Sequence, residues 1–315
     1  MTTLLHPVEK FTDPITTAKG EHRASVHWRG LKTLWLNTGT LCNIQCANCY
    51  IESSPTNDAL VYLTLGDVVP FLDEVDEMAA GPIEIGVTGG EPFLAPEIID
   101  IQEAALARGH DLLILTNAMR PMMRPRVQAG LKALLARHPG RMTVRVSLDH
   151  HTADLHDEER GAGSFAEALK GLQWLSQNRF RLAIAGRQDM GEDDATARAG
   201  YGRLIREQRL NIDPLDTRRL VLFPEMIPND DPPEITTSCW SILDKDPADI
   251  MCADQRMVIK RKGAAQASVT ACTLLTQSPE FELGATLKQA TDDPVALNHP
   301  WCASFCVLGG ASCSA

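Results

Sequence analysis

Cysteine is distributed unevenly along this chain, and the distribution restricts the kinds of site that the fold can build. Cys42, Cys46 and Cys49 stand close together near the start, and no other cysteine follows for a long stretch. The remaining six crowd the C-terminal quarter, at Cys239, Cys252, Cys272, Cys302, Cys306 and Cys313. This asymmetry predicts two parts of the protein with separate metal chemistry.

The compartment that a chain occupies decides how its thiols are used. No stretch approaches the roughly 18 consecutive apolar residues that a membrane span needs, and residues 1–19 lack the apolar centre of a secretory signal. We therefore expect a cytoplasmic protein with no membrane partner. In a reducing cytosol, nine cysteines favour metal ligation or catalysis over a disulfide framework. A net charge of −11 argues against nucleic acid as the main partner.

Short apolar runs alternate with amphipathic segments between the two groups of cysteines. The runs typical of buried parallel strands are 34–37, 83–87, 112–115, 142–146, 182–184 and 220–223. The segments with apolar residues at helical spacing are 65–78, 96–108, 127–137, 165–177 and 195–208. A row of six βα units predicts an α/β fold, here a partial (β/α)6 barrel, because a closed barrel needs eight.

Composition also indicates where the domains end. The stretch 228–234, Pro-Asn-Asp-Asp-Pro-Pro-Glu, is the best candidate for a linker. We expect an N-terminal segment over 1–29 and the partial barrel over 30–227. A small cysteine-rich α+β extension then occupies 228–315.

The first three cysteines follow the first predicted strand directly, in the pattern Cys-x3-Cys-x2-Cys. Three thiolates can bind three irons of a [4Fe–4S] cubane and leave the fourth iron without a protein ligand. An open coordination position is typical of a catalytic metal centre. Zinc and no metal are the alternatives, but structural zinc prefers four ligands and no fourth stands nearby. The polar neighbours Asn43, Gln45 and Asn48 argue against three packed core thiols.

The residues around this loop carry a resemblance to a known family. Leu-Cys-Asn-Ile-Gln-Cys-Ala-Asn-Cys-Tyr at 41–50 resembles the cysteine signature of the radical S-adenosylmethionine (radical SAM) superfamily. Thr-Gly-Gly-Glu-Pro at 88–92 is similar to that family's motif after the second strand. Ser-Leu-Asp at 147–149, His156-Asp157, Arg160-Gly161 and the strand end near Gly186 also fit, so the resemblance covers about residues 30–225.

The resemblance implies both cofactors and chemistry. It implies a [4Fe–4S] cluster on Cys42, Cys46 and Cys49 whose open iron binds S-adenosylmethionine (SAM). Reductive cleavage of SAM then yields a 5′-deoxyadenosyl radical that abstracts hydrogen from a substrate. The residues implied to bind SAM are Tyr50, Gly89, Gly90, Glu91, Pro92, Ser147, Asp149, Arg160, Gly186 and Phe223. They lie at or just past the ends of predicted strands, or on the cysteine loop, where barrel active sites are built.

Each implied role has a physical rationale and an ordinary alternative. Gly89 and Gly90 would let the backbone approach the SAM amine, unless the motif is only a turn. Glu91 would supply negative charge beside the amine, and Pro92 would fix the turn. Arg160 would pair with the SAM carboxylate, unless it is a surface residue.

The ribose and adenine ends of SAM have their own candidates. Ser147 and Asp149 would bind ribose hydroxyls, although Asp149 could instead cap the following segment. Gly186 and Phe223 would line the adenine pocket. The residue before the third cysteine is often aromatic in the family, and here Tyr50 follows that cysteine instead. No catalytic residue is assigned. His150 and His151 lie beside the predicted site and are candidates for a catalytic role; the alternative is that they are ordinary surface or core histidines.

The C-terminal cysteines predict a second site. A β-hairpin is predicted between Cys252 and Cys272, because an apolar strand pattern follows Cys252 and a turn follows at Gly263. Such a hairpin would bring the two thiols to one end. The arrangement resembles the SPASM/twitch extensions of some radical SAM enzymes, with a longer spacing from Gly263 to Cys272. We expect one auxiliary [4Fe–4S] cluster, and a zinc ion held by four thiolates is the rival. The expected ligands are Cys252, Cys272, Cys302 and Cys306, with Cys313 in reserve. Cys239 stays open as a core residue, a fifth ligand or a hydrogen-atom donor.

These features favour a radical SAM oxidoreductase or maturase, served by an electron donor such as flavodoxin or ferredoxin. The substrate is a peptide or a small molecule. The roughly thirty residues before the first strand are too few for a separate peptide-recognition domain, which favours a small substrate or a partner-delivered peptide.

The first alternative is a non-catalytic iron–sulfur scaffold or redox sensor, which would need no nucleotide-like ligand. A methyltransferase or methylthiotransferase would need a methyl-carrying cysteine, and nothing singles out Cys239 or Cys313.

Overall fold

A nine-stranded sheet and a separate two-stranded sheet form the frame of the protein, which a computed structural model describes over residues 9–188, 190–226 and 230–314. The strands are β1 (Ser25–Val26), β2 (Thr33–Asn37), β3 (Glu84–Thr88), β4 (Asp111–Thr116), β5 (Met142–Ser147), β6 (Arg181–Arg187), β7 (Leu220–Phe223), β8 (Gln255–Ile259), β9 (Ser268–Thr270), β10 (Glu282–Gly284) and β11 (Val295–Ala296). The α-helices are α1 (Leu65–Met78), α2 (Ile98–Ala107), α3 (Pro125–Arg137), α4 (Ala153–Arg160), α5 (Ser164–Gln177), α6 (Asp194–Glu207) and α7 (Cys239–Ile242).

The central part of the sheet follows chain order. The strands β2 to β7 pair successively, each with the next, and every pair is parallel. Helices α1, α2, α3, α5 and α6 lie in the connections between these strands. This arrangement confirms the predicted α/β fold and the partial (β/α)6 barrel.

A seventh parallel strand joins this sheet from the C-terminal region. β8 pairs with β2, with Thr33 opposite Gln255 and Leu36 opposite Val258. β9 and β10 then extend the sheet in antiparallel fashion. The hairpin of β8 and β9 confirms the predicted hairpin around Gly263. Its attachment to β2 was not predicted, because an apolar run marks a strand but not the strand beside which it lies.

The two faces of the parallel strands are buried in different cores. On the outer face, Leu34 and Leu36 of β2 share a core with Leu72 of α1. On the inner face, Trp35 shares a second core with Met257 of β8 and with the C-terminal cysteines. Burial on both faces explains why these strands read as continuous apolar runs. The barrel interior is therefore continuous with the cysteine-rich region.

The helix α4 was not predicted from the sequence. It buries only His156, so it carries no apolar stripe at helical spacing. By contrast, α1 begins at a capping box in which the Thr64 hydroxyl accepts from the Asp67 amide and the Asp67 carboxylate accepts from the Thr64 amide. Among the described residues, no helix is both long enough and apolar enough to cross a membrane.

Segments near the predicted domain limits are anchored to the rest of the chain. β1 pairs with β11, which joins the N-terminal segment to the C-terminal region. Glu234, the last residue of the predicted linker, accepts a hydrogen bond from the Ala18 amide and forms an ion pair of 2.5 Å with Arg23. Residues 1–8 and 227–229, which include part of that linker, lie outside the described residues. The domain limits themselves stay predictions.

Trp35 determines which residue can stand at position 86. A Cβ atom on Gly86 would lie 2.3 Å from Cε3 of Trp35. We expect Gly86→Ala to destabilise the apoprotein by about 1–3 kcal/mol, because the packed indole cannot move aside without disturbing the inner core. Chemical denaturation measures this change. The control is Gly81→Ala, where a Cβ meets nothing within 4 Å; equal loss in both variants would contradict the packing argument.

Candidate functional site

Two adjoining cavities lie at the carboxyl ends of the parallel strands. The first, the loop cavity, is lined by Cys42, Cys46 and Cys49 together with residues from the ends of β3, β4, β5 and β6. The second, the inner cavity, reaches from the end of β5 to the C-terminal region. The residues that line both are Asn48, Tyr50, Leu115, Ser147, Arg160 and Arg187. The shared wall makes one continuous site.

Backbone contacts hold the cysteine loop in place. The Cys42 amide donates to the Ser54 carbonyl at 3.0 Å, and the Ala47 amide donates to the Glu159 carbonyl at 2.8 Å. Cys42 is buried, whereas Cys46 and Cys49 are partly exposed. Burial raises the pKa of the Cys42 thiol to about 12. A bare thiolate at this position is therefore unfavourable, and a bound metal would have to stabilise it.

The glycines at 89 and 90 line the loop cavity and also permit close packing of two loops. A Cβ on Gly90 would lie 2.2 Å from the Leu41 carbonyl oxygen. Gly89 has a φ of +134°, which side chains rarely adopt. The Gly90 amide donates to the Gly39 carbonyl at 2.8 Å. These glycines therefore fix the start of the cysteine loop against β3.

Glu91 and Pro92 do not line either cavity. Both are buried, and the Glu91 carboxylate accepts hydrogen bonds from the amides of Phe93 and Asn117 and from the Thr116 hydroxyl. Burial raises the pKa of Glu91 to about 7, although these hydrogen bonds act to lower that pKa. Glu91 thus holds the turn after β4 from behind the wall of the loop cavity, and its expected negative charge beside the SAM amine stays a prediction.

Asp149 and Arg160 form the charged centre of the site. Arg160 donates to both carboxylate oxygens of Asp149, from Nε at 2.7 Å and from Nη2 at 2.9 Å. Arg187 lies 3.4 Å from the same carboxylate. Burial alone would raise the pKa of Asp149, but the charges of Arg160 and Arg187 outweigh it and lower that pKa. Asp149 is therefore ionised and Arg160 is fixed beside the cysteines.

Sequence reasoning missed several residues of this wall. Arg187 pairs with Glu159 at 3.2 Å and donates to the Asn48 carbonyl at 3.2 Å. The Asn48 amide in turn donates to Glu159 at 3.1 Å. Asn117 donates to the side chain of Asn43 at 2.9 Å. Arg187 follows Gly186 directly at the end of β6, and that position at a strand end is the signal that could have identified it.

The lining of the inner cavity becomes more apolar with distance from Asp149. Its far wall consists of Leu274, Phe305 and the segment from Phe223 to Met226. The rings of Phe223 and Phe305 stack with their centroids 5.7 Å apart. Gly186 also lines this cavity, where a Cβ would lie 2.3 Å from the Tyr201 hydroxyl. The cavity thus offers a charged end at Asp149 and a mainly apolar end, whose single charged lining residue among those described is Glu225.

Five C-terminal cysteines are buried in one core, and one of them differs from the others. Cys252, Cys272, Cys302 and Cys306 are each near enough to one or more of the others that a charge on one raises the pKa of another. Cys313 belongs to this group, because its charge raises the pKa of Cys272 and of Cys306. It also lines the inner cavity, and its sulfur accepts a hydrogen bond from the Thr273 hydroxyl at 2.9 Å.

Cys239 stands apart from both groups. Its sulfur accepts from the Thr236 amide at 3.3 Å, next to the start of α7. It lies at the edge of the second core and is partly exposed. This placement favours the core interpretation of Cys239 over a fifth ligand.

The spacing of the thiols bears on the metal that they suit. Every set of three thiols among the described residues contains a pair of sulfur atoms more than 4.8 Å apart. Four thiolates on one tetrahedral zinc ion lie about 3.8 Å from one another. No three of these thiols are therefore close enough for one zinc ion without movement, whereas a cubane, in which each thiolate binds a different iron, does not require that close spacing.

A buried cation lies against the C-terminal cysteines. Arg256 is fully buried, and its Nη1 donates to the Cys252 carbonyl at 2.7 Å. Its Nη2 is buried and has no hydrogen-bond partner within the described part of the chain. A buried guanidinium without a countercharge is costly. Thiolates on a metal would supply that charge.

His150 and His151 form a cluster with Glu192 beside Asp149. Their Nε2 atoms lie 3.1 and 2.8 Å from the same Glu192 oxygen. Because Nδ1 of His150 accepts from the Thr152 amide, the proton of the neutral ring sits on Nε2 and is donated to Glu192. The cluster therefore joins the loops after β5 and β6, and neither ring lines the two cavities.

Comparison with known proteins places this geometry in context. Residues 36–188 match the family model described as the Radical SAM superfamily. The chain is 32% identical to the mycofactocin maturase MftC of Mycobacterium ulcerans over 175 residues, 54% of this chain and 44% of that protein. It is 31% identical to the antilisterial bacteriocin subtilosin biosynthesis protein AlbA of Bacillus subtilis over 145 residues, 46% of this chain and 30% of that protein. The match thus spans less than half the length of these relatives.

The fold has solved counterparts. SuiB of Streptococcus suis bound to S-adenosylmethionine superposes with a TM-score of 0.62 at 12% identity, over 85% of this chain and 67% of that one. The same protein bound to the precursor peptide SuiA gives a TM-score of 0.59 at 14% identity, over 84% and 65%. At these identities the likeness concerns the fold. The family match over residues 36–188 and the curated relatives, independently of this likeness, show that the chain contains a radical SAM domain and is a radical SAM enzyme.

Proposed function

We propose that the protein is a radical SAM maturase or oxidoreductase that abstracts hydrogen from a substrate held in the inner cavity. The observation that carries the proposal is that three thiols and the Asp149–Arg160 pair open into one continuous site. A thiol cluster alone would suit many roles. A fixed pair of opposite charges beside it suits a ligand that carries a carboxylate for Arg160 and hydroxyl groups for Asp149.

Membership of the superfamily implies a [4Fe–4S] cluster and SAM as cofactors. Cys42, Cys46 and Cys49 would hold that cluster, because thiolates are its usual ligands and all three line the loop cavity. When bound, the cluster and SAM supply the electron and the 5′-deoxyadenosyl group for hydrogen abstraction. The chain's own contribution is to position these groups and to exclude water.

The SAM-binding roles expected from the sequence receive different support. Arg160 spends Nε and Nη2 on Asp149, which leaves Nη1 for the SAM carboxylate. Ser147 and Asp149 would bind the ribose, since both line the inner cavity. Tyr50, Gly186 and Phe223, which also line it, would contact the adenine. Gly89 and Gly90 would present backbone groups to the amine, while Glu91 and Pro92 act from behind the wall.

A second cluster would occupy the C-terminal region. Its proposed ligands are Cys252, Cys272, Cys302 and Cys306, which are buried in one core beside the unpaired cation of Arg256. Cys313 stays the reserve ligand, because it is close enough to raise the pKa of Cys272 and Cys306 and also lines the inner cavity. The region 228–315 would then form an auxiliary domain on the barrel of 30–227, behind the segment 1–29.

The relatives favour a peptide as substrate. MftC is a maturase, AlbA serves the biosynthesis of a bacteriocin, and SuiB binds a precursor peptide. We propose that a peptide side chain enters the apolar end of the inner cavity; a small molecule is the alternative. The reductant would be a flavodoxin or ferredoxin in the cytoplasm. A non-catalytic scaffold or redox sensor would have no use for the charged pair beside the thiols.

Removal of one thiol distinguishes the enzyme hypothesis from the scaffold hypothesis. Anaerobic reconstitution of the wild type should give about eight irons per chain, and the reduced protein should convert SAM to 5′-deoxyadenosine. Cys42→Ala should lose the conversion and about half of the iron. Cys239→Ala is the matched control and should retain both. Iron without SAM cleavage in the wild type would favour the scaffold. About four irons per chain with cleavage would favour zinc at the C-terminal site.

Neutralising Asp149 tests the charged centre. Asp149→Asn should weaken SAM binding at least tenfold, about 1.4 kcal/mol, because Arg160 loses the carboxylate that fixes it. The iron content should not change. Equilibrium binding of SAM to the reconstituted protein provides the measurement. Asp154→Asn, an exposed acid in the first turn of α4, is the control; equal affinities in both variants would remove Asp149 from the site.

A further inference from the structure

We propose that Arg256 is the built-in countercharge of the C-terminal cysteine site and raises the reduction potential of the cluster bound there. The inference rests on the proposed second cluster. It assigns to one residue of β8 the role of setting how readily that site accepts an electron. Arg256 would act through the thiolates, so it is a positioning and tuning residue rather than a catalytic one.

The surroundings of Arg256 fix its guanidinium rigidly. Nε donates to the Ala290 carbonyl at 2.8 Å, and Nη1 donates to the carbonyls of Cys252 and Gln255, both at 2.7 Å. The guanidinium carbon lies 4.3 Å from the ring centroid of Trp28. Three carbonyls and an aromatic face orient a cation, but none of them carries a compensating negative charge.

The described carboxylates do not neutralise this cation. Asp254 is the nearest acid along the chain, and it pairs with Lys32 at 2.8 Å instead. None of the ion pairs within the described residues includes Arg256. Burial lowers the pKa of Arg256 to about 10, while charges on Cys252, Cys272 and Asp254 work in the opposite direction. Because Asp254 is already paired with Lys32, the groups left to balance Arg256 are Cys252 and Cys272, which would become anions on binding a metal.

The physical consequence concerns the charge of the site. A cubane with four thiolate ligands is an anion, and one-electron reduction adds one more negative charge to it. A fixed cation in a dry environment stabilises the more negative state more strongly, because Coulomb energy is little screened there. Arg256 should thus make the cluster easier to reduce, which suits a site that takes an electron from an oxidised substrate.

The test isolates the C-terminal site. A background variant with Cys42→Ala, Cys46→Ala and Cys49→Ala retains only that cluster, whose potential is measured by redox titration followed by electron paramagnetic resonance. Arg256→Met should shift the potential to more negative values by at least about 59 mV, a tenfold change in the one-electron equilibrium. Arg256→Lys should retain most of the parent potential. Arg261→Met is the control, since Arg261 follows the same strand and pairs with Glu282.

A second measurement distinguishes tuning from simple packing. Without metal, Arg256→Met should change the thermal stability little, because removing an uncompensated buried cation offsets the lost hydrogen bonds to three carbonyls. With the cluster bound, the same variant should lose clearly more stability relative to its parent. An equal loss of stability in both forms would overturn the proposal, since it would make Arg256 a packing residue.

The outcomes separate this inference from the proposed function. If the background variant binds no iron, the second cluster fails, and the role of Arg256 fails with it. If it binds about four irons but Arg256→Met leaves the potential where it was, only the role of Arg256 is wrong. If the Met variant folds but loses its iron while the Lys variant keeps it, the requirement for positive charge is supported.

Discussion

The parallel pairing of β8 with β2 is the constraint on which the rest of the architecture depends. It inserts a strand of the C-terminal region beside the first strand of the barrel, with Thr33 opposite Gln255. Through this pairing, the inner face of the barrel and the C-terminal cysteines share one core. The hydrogen bonds of a parallel ladder fix the register of both strands, so the core that holds the C-terminal cysteines has a fixed position relative to the barrel strands.

Buried charge is treated differently in the two parts of the site. Beside the cysteine loop, Asp149 and Glu159 balance Arg160 and Arg187 within the protein, so the site is ready for a charged ligand before it binds. In the C-terminal core, Arg256 has no carboxylate partner within the described ranges. A buried charge that the fold leaves without a partner indicates a group that must be bound from outside. The contrast distinguishes a binding site from a site built around its own metal.

Some of the fold and site could be predicted from short-range patterns. The six strands and five helices follow from apolar periodicity, and the spacing of Cys42, Cys46 and Cys49 indicates the chemistry of the loop. The directions of side chains within the motifs could not be predicted in this way. Glu91 turns inward to the amides of Phe93 and Asn117 because burying its carboxylate there satisfies several donors at once.

The sequence by itself determined which residues could carry metal chemistry, because ligand type and local spacing are properties of the chain. It also determined the order of the strands that follow one another, since short connections place successive βα units side by side. Only the tertiary structure decided that Cys313 faces the inner cavity while Cys239 lies beside a short helix at the edge of the core. Those outcomes depend on strand pairings between residues more than two hundred positions apart. Local sequence carries no information about such partners, because the free energy that selects them comes from burying both surfaces together.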